Sequence, residues 1–131
     1  NAADLGLDVA FIEQDLFRFN SGDRASVYDV IVSNPPYVTT AEALKMEKRV
    51  LEHEPALAMF VPDNDALVFY RELAALAART LKPGGSLYVE ISIYYGREIV
   101  QLFEEAGFDE IILRQDISGR DRMIKAAKCH G

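Results

Sequence analysis

"YDVIVSNPPYV", Tyr28 to Val38, decides how this chain folds. Its first half is an almost continuous apolar, β-branched run, the pattern of a strand buried on both faces of a sheet. Its second half stops that strand. Pro35 and Pro36 follow Asn34, and a proline has no N–H to give to a ladder. The prolines hold the chain in a fixed, non-ladder shape just beyond a buried strand. In open α/β sheets that is where chemistry is placed.

Working outward, the elements follow from periodicity and punctuation. Upstream, Asn1–Leu5 reads as the tail of a helix, with Gly6 as the residue past its end. "DVAFIEQ", Asp8–Gln14, reads as a strand ending at Asp15, and "FNSGDRAS" as a loop. Downstream, Thr39 and Glu42 have the spacing of a capping box and open a short helix through Leu51. "EHEPALAMFVPDN" is an irregular connection. Asp63 or Asn64 caps a longer helix whose apolar positions are Leu67, Tyr70, Leu73, Ala74, Ala77 and Leu81. "KPGG", Lys82–Gly85, ends it, and "SLYVEISI" is the next strand. Gly96 and Gly107 bracket a helix with Ile99, Val100, Leu102, Phe103 and Ala106 inward. "DEIILRQ" and "RMIKAAK" form a hairpin across "DISGRD". Helices between strands imply parallel crossovers, and the hairpin reverses one strand. The fold class is α/β with a mixed sheet.

The 131 residues suit one domain. Half are apolar and 27% are charged, a globular balance. A net charge of −7 argues against a domain that grips a phosphate backbone by itself. The single cysteine, Cys129, allows no intrachain disulfide, which suits a reducing, cytoplasmic setting. No apolar run reaches membrane-spanning length. His53 and His130 have no partner spacing for a metal. Lys45, Lys48 and Arg49 read as a solvated helix face. Asp116, Arg120 and Asp121 read as organisers of the hairpin loop.

Asn34 carries the chemistry. Its side-chain oxygen and the Pro35 carbonyl form two adjacent acceptors, which would grip both hydrogens of an –NH2 group. The nitrogen lone pair would then face an electrophile, and the Tyr37 ring would lie against the planar group that carries the nitrogen. Such a site suits alkylation of an amide or an exocyclic amine. It needs no strong base, since the nitrogen can lose its proton after it becomes cationic. Rate would come mostly from positioning. An Asn-Pro pair after a strand can also be no more than a turn.

"IEQDLF", "VSNPPYV", "EHEPALAMFVPDNDALVFYRELA", "LKPGGSLYVEI", "EEAGF" and "QDISGRDRMIKA" occur in an order that resembles the HemK/PrmC-type release factor glutamine N5-methyltransferases. These are class I, Rossmann-like enzymes that use S-adenosylmethionine. The resemblance covers essentially the whole chain. It implies a seven-stranded sheet of order 3-2-1-4-5-7-6, of which this chain holds the counterparts of strands three to seven, with the terminal antiparallel hairpin. Residues 1–131 would then be the C-terminal portion of the catalytic domain, without its glycine-rich cofactor loop. Asn34, Pro35, Pro36 and Tyr37 match the substrate-amide clamp. Asn34 also lies near the cofactor in such enzymes. Asp15 and Leu16 match the position bordering the adenine, although Asp15 also reads as a loop carboxylate or cap. Ser92 and Tyr95 stand where the family often has glycine and glutamine.

The resemblance implies methyl transfer to a glutamine side-chain amide of a peptide chain release factor. "NPPY" is shared with enzymes that methylate amines of DNA or RNA bases, so a nucleobase is the alternative substrate. A non-catalytic fragment is the other alternative. The counterpart of strand four would lack its central neighbour. Either Val9–Ile12 docks on that edge, or two chains associate there.

Overall fold

The computed structural model describes residues 1–19, 27–39, 42, 60–62 and 64–128. A short 3-10 turn spans Leu16–Arg18. The strands are β1 (Tyr28–Ser33), β2 (Val38–Thr39), β3 (Phe60–Val61), β4 (Leu81–Glu90), β5 (Glu110–Gln115) and β6 (Asp121–Ala127). The helices are α1 (Val68–Thr80) and α2 (Gly96–Glu105). Four strands form one sheet in the order β1-β4-β6-β5. β1 and β4 are parallel, and β4–β6 and β6–β5 are antiparallel. This is the mixed α/β sheet expected, hairpin included.

The register sorts the sheet into two faces. Ile31, Leu87, Ala126 and Ile111 stand side by side in one row, and Ser33, Val89, Ile124 and Leu113 in another. Both rows pack under the helices, in a core with Tyr70, Leu73, Ala77, Ile99 and Phe103. The intervening row is Val32, Tyr88, Lys125 and Ile112. Among the described residues no helix covers this row, and Val32 is 75% exposed. β1 is therefore buried on one face rather than two.

Local chemistry explains the junctions. Leu7 N–H donates to Ala2 O at 2.9 Å and Gly6 N–H to Ala3 O at 3.1 Å. With Gly6 at φ 64°, this closes the first residues as a Schellman motif. Thr39 and Glu42 form the expected capping box: Thr39 N–H donates to Glu42 Oε2 at 2.8 Å, and Glu42 N–H to Thr39 Oγ1 at 3.3 Å. Residues 82–85 bulge where the register jumps from Tyr28–Leu81 to Val30–Ser86. Gly85 is required there, since a Cβ would lie 2.9 Å from Lys82 O and 3.0 Å from Asp29 O. The Lys82 ammonium clasps the Asp29 carboxylate at 2.8 Å across the bulge.

Three expectations are corrected. Residues 8–14 form no strand; Val9, Phe11 and Ile12 are 47%, 85% and 67% exposed. A strand exists only through a ladder partner, and this segment has none among the described residues. For the same reason Val9–Ile12 does not dock on β1, whose described partner is β4. α1 begins at Val68 with Leu67 at its N-cap, so Asn64 does not cap it. Pro62 O instead accepts from Asp65 N–H at 3.1 Å, and that turn delays the helix. The parallel pair β2–β3 was not expected from the sequence. Asp63, the helix beyond Glu42, His53, Lys45, Lys48, Arg49, Cys129 and His130 lie outside the described residues.

Candidate functional site

β1 ends at Ser33 and delivers Asn34 to the C-terminal edge of the sheet. Asn34 is exposed, Pro35 is buried, and Pro36 and Tyr37 are partly buried. The buried proline anchors the exposed carboxamide, as a rigid strand stop should. Asn34 borders a cleft of about 710 Å3 over the open sheet face, with Val32, Tyr88, Glu90, Arg114 and Met123. Tyr37 borders a second cleft of about 430 Å3, with Glu42, Ser92, Tyr94, Arg120 and Arg122. Thus Asn34 and Tyr37, three residues apart, open onto different hollows.

Glu90 joins the two. It sits on the wall of the Asn34 cleft, and its Oε1 accepts from the Tyr37 hydroxyl at 2.7 Å. Tyr70, from α1, donates its hydroxyl to the Glu90 carbonyl at 3.3 Å. Burial pushes the Tyr37 phenol above its usual value, and the Glu90 carboxylate adds to that by hydrogen bond and by charge. Arg122 faces the same hydroxyl and pulls the other way. Burial also holds Tyr70 strongly in its neutral form.

Arg122 is fixed from its other side. Its Nε and a terminal nitrogen each donate to Asp116 Oδ2 at 3.3 Å. Burial alone would lower the Arg122 pKa, but Asp116 and Tyr37 together outweigh it and the guanidinium ends above its usual value. Asp116 Oδ1 accepts from Ser118 N–H at 2.8 Å and Arg120 N–H at 3.2 Å. Asp116 therefore organises the hairpin, as expected; the organiser paired with it is Arg122, which the sequence reading passed over. Its signal was the second arginine of "GRDR".

Asp15 and Leu16 sit elsewhere. Asp15 Oδ1 accepts from Phe17 N–H at 2.9 Å, so Asp15 does cap a turn, while its carboxylate stays 53% exposed. Leu16 packs on the core. Phe17 meets Phe69 of α1 edge-on, with ring centres 5.0 Å apart. Neither Asp15 nor Leu16 borders the two clefts above. Ser92 is buried and its Oγ accepts from Tyr94 N–H at 3.3 Å. No cluster of metal-ligating side chains occurs among the described residues. No described helix is long and apolar enough to cross a membrane.

No family model matches the chain. A release factor glutamine methyltransferase of Flavobacterium psychrophilum is 48% identical over 119 residues, 91% of this chain and 41% of that protein. One from Bacteroides thetaiotaomicron is 44% identical over 126 residues, 96% of this chain and 45% of that protein. The chain thus spans under half the length of these curated relatives. The solved structure of a release factor-specific protein-(glutamine-N5) methyltransferase from Alicyclobacillus acidocaldarius is 27% identical, with a TM-score of 0.50 over 79% of this chain and 50% of that one. A candidate DNA modification methylase from Thermus thermophilus has a TM-score of 0.51 over 88% of this chain and 50% of that one. At 18% identity it bears on the fold alone.

Proposed function

From the premise that this chain is a homologue of one part of the release factor glutamine methyltransferases, we propose that it carries the amide-holding side of such an enzyme. The reaction is methylation of a glutamine side-chain nitrogen in a peptide chain release factor. One observation carries the reading beyond homology: an exposed Asn34 carboxamide stands on a buried Pro35 at the end of a core-backed strand.

The chemistry follows from the side chains. Asn34 Oδ1 and the Pro35 carbonyl each accept one hydrogen of the substrate –NH2. This fixes the amide plane and turns the nitrogen lone pair outward. Pro36 locks the backbone between Asn34 and Tyr37, whose ring opens on the neighbouring hollow. The nitrogen sheds its proton after its new bond forms, so no residue has to act as a strong base. Most of the rate comes from holding the amide in a near-attack geometry.

S-adenosylmethionine, when bound, supplies an electrophilic methyl group. The donor set fits part of it. The half-exposed Asp15 carboxylate keeps acceptor capacity for the adenine amine, beside Leu16, and the exposed Asn34 can face the cofactor as well. A cytoplasmic setting goes with this reading.

The test is Asn34→Ala in a protein that unites this chain with a cofactor-binding half. Turnover on a release factor should fall at least about 100-fold with the circular dichroism spectrum unchanged. Near wild-type methylation by the variant would sink the assignment. Methylation of DNA or RNA in preference to the release factor would move the substrate to a nucleobase, against the chain's acidic charge.

A further inference from the structure

The glutamine reading uses the Asn34–Tyr37 stretch and leaves Glu90 and Arg122 without a role. Both meet Tyr37 from other strands, 53 residues or more along the chain. Glu90, at the end of β4, holds the Tyr37 hydroxyl at 2.7 Å while forming part of the Asn34 cleft wall. Arg122, on β6, shares the Tyr37 cleft and is itself held by Asp116 of the hairpin turn. The hydroxyl thus donates to Glu90, with the Arg122 guanidinium on the wall of the cleft that Tyr37 borders. A phenol bonded in this way cannot swing without breaking a charge-assisted hydrogen bond.

We propose that Glu90 and Arg122 are positioning residues for Tyr37, fixing its ring in the hollow beside the Asn34 cleft and so holding the Asn34–Tyr37 segment rigid. Neither touches the substrate amide. Glu90 ties the Tyr37 cleft to the Asn34 cleft, and Arg122 carries the geometry of the hairpin turn to the same hydroxyl. A tyrosine at the tip of a Pro-Pro segment swings about its first side-chain torsion, and its hydroxyl, at the far end of the ring, is the handle by which that torsion can be set. The proposal rests on the glutamine-methylation reading for its consequence, but not for its geometry.

The test separates the two. In the 131-residue chain with labelled tyrosines, NMR couplings should find Tyr37 in one χ1 rotamer in wild type and averaged over rotamers in Glu90→Ala. Glu90→Gln keeps an acceptor oxygen and should restore the single rotamer. Tyr70 is the internal control, because it bonds the Glu90 main chain and not its side chain. Arg122→Ala should free the Tyr37 ring as well, with unchanged β5–β6 amide shifts certifying the hairpin. This reading needs neither cofactor nor substrate. In the longer protein, Glu90→Ala should lower kcat about tenfold, leave the KM for the methyl donor unchanged, and recover in Glu90→Gln. An unaltered single Tyr37 rotamer in both alanine variants overturns the proposal. So does a freed ring with wild-type kcat. Activity in Asn34→Ala would instead sink the glutamine reading and leave the ring measurement standing.

Discussion

Asp116 is where one residue sets the behaviour of a whole turn. The Arg120 N–H bonded to its carboxylate is the first reason its pKa lies below the ordinary 3.8; burial opposes, and the Ser118 N–H and Arg122 add to the lowering. A carboxylate whose folded pKa is depressed contributes its stability above the unfolded value. That contribution is lost as pH falls from about 3.8 through the folded pKa. The protection of amides in residues 116–122, taken relative to their intrinsic exchange at each pH, should therefore fall below about pH 4, ahead of that in the β4 core. Asp116→Asn keeps an acceptor but not the charge, so it should abolish that pH dependence; an unchanged acid profile would show that Asp116 does not hold the turn. At this scale the sequence told much about Asn34 and little about Glu90. Two prolines after an apolar run are local punctuation, readable without knowing any distant contact. Glu90 ends an apolar strand as many glutamates do, and what distinguishes it is a hydroxyl 53 residues away.

Elements with their own internal period were legible, and elements that depend on a partner were not. α2 shows an apolar stripe, the hairpin shows a glycine-bearing turn, and the structure has both where they were expected. Residues 8–14 have the composition of a strand without a ladder to join. β2 and β3 have two residues each, too few to display any period. The capping box lies between these cases, because its signal is the spacing of Thr39 and Glu42 alone. The bulge at Lys82–Gly85 gives the sharpest mutational expectation. "KPGG" reads in sequence as a helix stop after Leu81 and before a strand at Ser86; the helix ends one residue earlier, at Thr80, and Leu81 and "KPGG" themselves belong to β4, which ends at Glu90. Its two glycines also bring β4 against β1 at a register jump. Gly85→Ala puts a methyl group 2.9–3.0 Å from two backbone oxygens, neither of which is a movable side-chain tip. The strands must part, at a cost of about 1–3 kcal/mol by analogy with overpacked cores. Urea unfolding would measure it, and a neutral Gly85→Ala would mean that the bulge is not a tight joint.

At the scale of the whole molecule, the four-stranded sheet has its described helices on one side, and that asymmetry governs its behaviour in solution. Val30 and Val32 are 55% and 75% exposed on β1, with Tyr88 and Met123 at 41% and 43% on the same sheet. Among the described residues β1 is paired on one side only, so its outer backbone groups remain available to another chain. An apolar, unpaired strand next to an open apolar face favours edge-to-edge association. The net charge of −7 opposes it. Burial of apolar area is indifferent to moderate salt, whereas repulsion between the chains is screened beyond about 8 Å at 0.15 M. Association should therefore strengthen as ionic strength rises, which is opposite to the trend for a complex held by ion pairs. Sedimentation velocity across a concentration series, at low and at physiological salt, reads this directly. Val32→Lys places a charge on the open face of the edge strand and should shift the chain to monomer at both salt levels, without loss of the helical signal. A wild-type chain that stays monomeric throughout, with Val30–Ser33 amides exchanging as freely as an unpaired edge would, defeats the association.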